Sequence, residues 1–290
     1  MFVVAGVSGN TGSVVAETLL AQGSAVRVVV RDASKGAAWK ARGAEVAVAD
    51  VADAKALGEA LKGAAGAYLL VPPFGWGAAD PVAEQSTKVA GIVEAVRAAK
   101  PAHVVLLSSI GAQHAKGTGP IASLHVLEEK LRETGVAATF LRAAYFMENW
   151  GGSLAGALEG GAVYNGLSAA KKFPQIATRD IGTTAARLLV EPVASGVRVV
   201  ELSGPEEYSF DDAAAAIGKI AGREVKAVQV PIAGMEGALQ GMGASAAVAG
   251  LYGEMTDGVN RDHVAWEGGS AIAVRGPTTL EAVLRGLLKK

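Results

Sequence analysis

The chain has 290 residues, with 27 Lys and Arg against 28 Asp and Glu and a formal charge of −1, so neither nucleic acid nor an anionic membrane surface has an electrostatic claim on it. The absence of cysteine excludes disulfides, iron–sulfur clusters and thiol catalysis, and four histidines without ligand spacing argue against a metal centre. Half of the residues are apolar and 19% are charged, which opposes disorder; with no basic leader before Phe2 and no long unbroken apolar run, a cytoplasmic chain without a membrane span is expected.

Short β-branched runs alternate with Ala-rich helical patterns through the first two thirds, the rhythm of βαβ units. Strands are expected at residues 2–7, 25–30, 45–49, 67–71, 103–107 and 137–141. Each is a continuous apolar run, as for strands covered by helices on both faces. Residues 80–100 place Val82, Val89, Val93 and Val96 at helical spacing and read as an amphipathic helix against the sheet. A later helix over 123–132 carries Leu124, Leu127 and Leu131 at core spacing. After about residue 150 a glycine-rich stretch leads to a helix over 180–190, a strand over 197–202 and a helix over 210–221. Residues 232–258, rich in glycine and poor in charge, form either a mobile lobe beside a cleft or a loosely packed helical cap.

The strongest motif lies at the first strand's end, where Gly6, Gly9 and Gly12 recur three apart before a helix. Gly6 permits a tight turn, Gly9 lets backbone N–H groups reach a diphosphate, and Gly12 seats the helix against the sheet, its positive end toward the phosphates. The second strand ends in Arg31 and Asp32, with Lys35 a turn later. A guanidinium forks naturally onto phosphate oxygens, so Arg31 and Lys35 favour the 2′-phosphate of NADP(H), while Asp32 leaves NAD(H) open as the alternative. Asp50, after the third strand, either contacts the adenine ring or caps the next helix. The fold class is therefore α/β, a Rossmann-type doubly wound parallel sheet with a smaller mixed C-terminal substrate lobe. Residues 1–150 make the NADP-binding domain and 151–290 the substrate or lid lobe, with parts around 176–204 returning to the Rossmann core.

To this point the chain resembles the short-chain dehydrogenase/reductases, whose Tyr-x-x-x-Lys pair protonates a carbonyl. The pair is absent: four residues beyond Tyr68, Tyr145, Tyr164, Tyr208 and Tyr252 stand Pro72, Asn149, Ser168, Asp212 and Thr256. His125 occupies the tyrosine's place on the helix, with Glu129 on the same face; it is either a proton donor or a histidine lining the cleft. The glycine turn, Val30-Arg31-Asp32, Leu107 to Gly111, His125 to Lys130, Leu141 to Asn149, Ile176 to Gly182 and Glu201 to Pro205 together resemble the NmrA-like family of atypical short-chain reductases.

That resemblance implies NADP(H) on a Rossmann domain beside a small lobe, and either a reductase of quinones and dyes or a non-catalytic redox sensor acting through a protein partner. It implies that Gly6, Ser8, Gly9, Asn10, Thr11 and Gly12 hold the diphosphate and that Arg31 and Lys35 hold the 2′-phosphate. Val71, Pro72 and Ser108 would lie along the nicotinamide ribose. Tyr145, Phe146 and Asn149 would border the substrate pocket, with ordinary core packing the alternative for Phe146. Trp76 and Trp150 are pocket walls or surface anchors. The favoured reading is an NADPH-dependent reductase of a flat conjugated acceptor, a quinone or azo compound. Such acceptors take hydride into a delocalised system, so orientation matters more than a strong protein acid. Reduction of an activated C=C bond, as in the isoflavone-reductase group, is a weaker third reading, because that group's catalytic lysine has no clear counterpart on residues 123–132. The expected partner is a small aromatic or quinonoid substrate, and the chain is expected to be a monomer or homodimer.

Overall fold

The computed structural model describes residues 1–289. In chain order the strands are β1 (Phe2–Val4), β2 (Val26–Val30), β3 (Glu45–Val48), β4 (Gly66–Leu69), β5 (Val104–Ser109), β6 (Ala138–Ala143), β7 (Tyr145–Phe146), β8 (Ala162–Asn165), β9 (Phe173–Ile176), β10 (Val197–Ser203), β11 (Glu207–Tyr208), β12 (Lys226–Gln229) and β13 (Ile272–Arg275). The α-helices are α1 (Asn10–Ala21), α2 (Ala37–Ala41), α3 (Ala54–Leu61), α4 (Pro81–Ala99), α5 (Ala122–Arg132), α6 (Leu154–Gly160), α7 (Thr178–Val190), α8 (Phe210–Ala221), α9 (Ile232–Gly241), α10 (Ala246–Asn260) and α11 (Leu280–Leu288).

Eight strands form one parallel sheet in the order β13-β10-β6-β5-β4-β1-β2-β3. Helices cover both faces because successive strand residues point to opposite sides. Val4, Val28, Val105 and Leu141 join Val15 and Leu19 of α1 and Ile181 and Leu188 of α7 in one core. Val3, Val29, Leu106 and Phe140 join Leu57 of α3, Val89, Ile92 and Val96 of α4 and Leu127 and Leu131 of α5 in the other. Val82, expected on the core face of α4, is instead 60% exposed. It lies in the first turn, where Asp80 caps the helix through the N–H of Ala83 and Pro81 and Gln85 take the buried positions instead.

The order reverses at β1, which has β2 on one side and β4 on the other, so the crevice at the carboxyl ends of β1 and β4 is the topological switch point where such sheets bind ligands. Residues 178–203 supply α7 and β10 to this layer, and β13 adds an edge strand that the sequence reading did not include. Beside the main sheet lie a three-stranded sheet, β11-β9-β7, and a two-stranded one, β12-β8. Residues 232–260 form the helical hairpin α9–α10, helical as in the cap alternative. Close approach is one use of glycine there: a Cβ on Gly258 of α10 would lie 2.8 Å from the Gly117 carbonyl oxygen. No helix among the described residues is long and apolar enough to cross a membrane.

Candidate cofactor and acceptor site

The glycine turn follows β1 directly. Gly6 sits at φ +71°, and its carbonyl accepts the Gly9 N–H at 2.9 Å just before α1 begins. A Cβ on Gly12 would lie 2.5 Å from the Gly6 carbonyl, so only glycine lets α1 come this close to the turn. The first N–H groups of α1 have no intrahelical acceptor and point with the helix dipole past exposed Ser8, Gly9 and Asn10. This is a cradle that fits a diphosphate. Thr11 is a partial departure from expectation: it is buried, and its hydroxyl oxygen accepts a hydrogen bond from Tyr68 at 2.9 Å. Its available contribution is the main-chain N–H. Burial raises the Tyr68 pKa, with the Thr11 hydrogen bond pulling the other way.

Arg31 directly follows β2, and Lys35 lies in the short 3₁₀ turn Ala33–Gly36; both are exposed, and neither is ion-paired among the described residues. Asp32 is turned to its own loop. Its carboxylate accepts the Ser34 N–H at 2.8 Å, and the Ser34 backbone and side-chain hydrogen bonds hold it below the usual carboxylate range. Asp50 is exposed and accepts the Ala52 N–H, closing a local turn. The cap of α3 is Asp53, which accepts from Lys55 and Ala56, so the capping role proposed for Asp50 is corrected.

Val71 and Pro72 continue from β4 at the switch point, half-buried. The Pro72 carbonyl accepts from Gln85 and Lys88 of α4 at 3.3 Å each. Ser108 does not face this crevice. It is 2% exposed and donates to Glu128 of α5 at 2.5 Å, on the opposite side of β5 from Ser109. The strand's two-residue alternation hands the cleft to Ser109.

An apolar cleft of about 160 Å³ opens where β5 and β6 end. Ser109, Ile110 and Ala144 form its floor, and Tyr145, Phe146, Asn149 and Phe173 one wall. Met255 and Val259 of α10, with Val264, close the far side. The first wall is held by strand pairing: Tyr145 registers with Gln175 and Phe146 with Ile176, and Phe173 meets Tyr145 edge-on at 5.4 Å and 87°. Burial pushes the Tyr145 hydroxyl up to about 12, with the Asn149 side chain acting in the opposite direction, so it remains a donor at neutral pH. Glu148 anchors the same segment by accepting from the Thr178 N–H and hydroxyl at the start of α7. A void of this size takes one aromatic ring; an engineered apolar cavity of roughly 150 Å³ binds benzene.

The expected pocket residues Tyr145, Phe146 and Asn149 thus come together, whereas His125 is not among the lining residues. Its Nδ1–H donates to the Ala112 carbonyl at 2.9 Å. Glu129 pairs with Arg132, not His125. Trp150 is neither pocket wall nor surface anchor: it is 1% exposed, stacks on Phe210 at 5.6 Å and donates to Gln175. Sequence reasoning missed Phe173, Met255, Val259 and Val264, which lie far along the chain in segments without a motif. Histidines separated in sequence do meet, His114 stacking on His263 at 4.2 Å. Even so, no group of three or more His, Asp or Glu among the described residues is placed to hold a metal.

A glycine-lined helix start at the switch point of a doubly wound sheet, next to an apolar cleft, defines the class: a Rossmann-type dinucleotide-binding protein. The chain belongs to the NmrA-like family, whose model matches residues 1–282. It is 28% identical over 255 residues to an NAD(P)H azoreductase of Xenophilus azovorans, covering 88% of this chain and 86% of that protein. It is 27% identical over 266 residues to quinone oxidoreductase 2 of Escherichia coli strain K12, covering 90% and 88%. Among solved structures, Citrobacter sp. triphenylmethane reductase complexed with NADP(H) superposes with a TM-score of 0.83 at 21% identity, over 99% of this chain and 100% of that one.

Proposed function

We propose that this chain is an NADPH-dependent reductase of a flat, conjugated acceptor, a quinone or an azo compound. The observation that carries the reading is the placement of an uncharged, aromatic-walled cleft on the same carboxyl edge of the sheet as the diphosphate cradle. The names of the azoreductase and quinone oxidoreductase relatives support it.

NADPH supplies the hydride when bound. The main-chain N–H groups of residues 8–12 hold its diphosphate, Arg31 and Lys35 its 2′-phosphate, and Val71 and Pro72 its nicotinamide side. Tyr145 and Phe173 orient the acceptor ring; the Tyr145 hydroxyl and the Asn149 amide are the polar groups that meet its oxygen or nitrogen. The apolar floor and α10 exclude water. No strong acid need face the cleft, because a quinone or azo acceptor spreads the incoming charge over its own π-system and takes its proton afterwards from solvent. Residues 1–150 serve as the cofactor half and supply the inner side of the acceptor cleft, and α10 supplies its outer wall.

The test is NADPH oxidation across a panel of quinones, azo dyes and triphenylmethane dyes, alongside NADPH affinity. Turnover of at least one class is expected. Tight NADPH binding with no turnover in the whole panel would replace this reading with that of a non-catalytic NADP(H) sensor.

A further inference from the structure

Residues 71–80 link β4 to α4 and carry features that the site above does not use. Phe74, 7% exposed, is buried not in either sheet core but in a small separate cluster with Ala244, Val248 and Ala249, against which Leu239, Leu251 and Tyr252 pack. The α9–α10 hairpin therefore has its own core, and this loop completes it. Two residues on, Trp76 holds the hairpin's turn: its Nε1–H donates to the Met242 carbonyl at 3.2 Å, and its own carbonyl accepts the Ser245 N–H at 3.1 Å. Ser245 Oγ donates to the Ala78 carbonyl at 2.6 Å, and Tyr252 lies 5.8 Å from Trp76 and 6.1 Å from Phe74 between ring centroids.

The loop's other end is clamped by α4. Lys88 donates to the carbonyls of Pro72 and Pro73 at 3.3 and 2.9 Å, and the Glu84 carboxylate accepts the Gly75 N–H. On α10, Tyr252, Met255 and Val259 fall at i, i+3 and i+7 and share a face. The residue that Phe74 and Trp76 grip is thus on the face that offers Met255 and Val259 to the acceptor cleft.

We propose that Phe74 and Trp76 are positioning residues that set α10 as the outer wall of the acceptor cleft and couple that wall to the cofactor. Val71 and Pro72 begin the same loop, so cofactor contact there orders the loop, and the loop in turn seats α10. This rests on the NADPH-reductase reading, in which Val71 and Pro72 meet the nicotinamide side. Acceptor affinity then depends on Trp76, although Trp76 is not a cleft-lining residue, and the acceptor meets a formed pocket once the cofactor is in place.

The test uses Trp76→Ala and Trp76→Phe, the latter keeping an aromatic ring against Tyr252 but losing the N–H. At saturating NADPH, Trp76→Ala is expected to raise the quinone KM about fivefold or more while kcat changes less than about threefold, with Trp76→Phe in between; this split marks lost acceptor binding rather than lost chemistry. NADPH affinity, read from nucleotide fluorescence, should weaken by no more than the coupling factor itself, about fivefold, because the coupling is reciprocal. An unchanged acceptor KM would overturn the proposal, as would KM, kcat and melting temperature deteriorating together in both variants.

Hydrogen exchange of residues 232–260 supplies a readout without turnover. NADP+ should slow exchange there about fivefold or more in the wild type and not in Trp76→Ala. If the panel shows no turnover but this protection appears and depends on Trp76, the reductase reading fails and the coupling stands. If NADP+ binds and leaves exchange in 232–260 unchanged in the wild type, the coupling fails.

Discussion

Arg142 on β6 and Glu128 on α5 form a buried two-bond ion pair, with Arg142 Nη2 2.6 Å and Nε 3.0 Å from the Glu128 carboxylate. Their side chains are 3% and 2% exposed. Ser108 donates to the same carboxylate, and the outer guanidinium nitrogen reaches Glu267 on the segment that brings Val264 to the cleft. Glu201, opposite Arg142 on β10, accepts the N–H groups of Glu267 and Gly268. Burial opposes the Arg142 charge, but hydrogen bonds and charge from Glu128, then Glu267, outweigh it and raise its pKa.

Removing Glu128 leaves the buried Arg142 with only the half-exposed Glu267 to offset its charge. Glu128→Ala is expected to lower unfolding free energy by about 3–5 kcal/mol. The Glu128→Ala/Arg142→Met double variant should recover part of that loss. Urea unfolding of the three proteins checks both statements, and a Glu128→Ala loss below about 1 kcal/mol contradicts the buried-pair account.

His103 precedes β5 at the sheet edge away from the cleft, fully buried, with Nε2 3.0 Å from Thr139 Oγ1. Burial first, then the charge of Arg198, lowers its pKa from 6.5 to about 4. The unfolded chain takes up this proton near 6.5 and the folded chain only near 4, so His103 makes stability fall as pH drops through that window. The slope is at most about 1.4 kcal/mol per pH unit for one proton. His103→Gln should flatten the stability profile between pH 4 and 6.5 while leaving NADPH affinity at pH 7.5 unchanged, as followed by denaturant unfolding at several pH values.

On the proposed reading, Arg31, exposed at the end of β2 and without an ion-pair partner among the described residues, carries the cofactor preference. NADPH should bind about tenfold or more tighter than NADH, and Arg31→Ala should remove that difference by weakening NADPH alone. Titration of nucleotide fluorescence measures both constants. Equal affinities in the wild type would refute the 2′-phosphate assignment.

With Nδ1–H committed to the Ala112 carbonyl and the ring outside the cleft lining, His125 is not expected to act as an essential acid. Turnover of the best acceptor should survive His125→Ala within about tenfold, against the roughly 10²–10⁴-fold loss of a removed general acid. Tyr145→Phe, which deletes the hydroxyl of a cleft-lining residue, should cost more than His125→Ala. Steady-state kinetics at pH 7 ranks the two variants.

The layered α/β architecture was legible because its signals are local. Apolar runs such as Val28 to Val30 mark strands buried on both faces, and Gly6 and Gly12 mark a turn whose φ and close approach only glycine allows. Arg31, Tyr145 and Asn149 could be assigned to the carboxyl edge from their position after a strand. Where sequence reasoning failed, it failed by one to three residues along the chain or by fold-scale distance. Ser108 and Ser109 are exchanged by strand alternation, and Asp50 and Asp53 by the length of one turn. Trp150 went into the core because Phe210, sixty residues later, supplied a face for it.

The sequence by itself determined the parallel sheet, the glycine turn after β1 and the cation at the end of β2, since each depends on contacts within a few residues or on strand periodicity, while the order of its motifs carried the resemblance to the family. Only the tertiary structure decided what lines the apolar cleft. Phe173 of β9, Met255 and Val259 of α10, and Val264 line one cleft with Tyr145, Trp76 reaches across 166 positions to Met242, and Arg142 meets Glu267 across 125. Such contacts leave no period in the sequence, because what selects them is the fit of already folded surfaces.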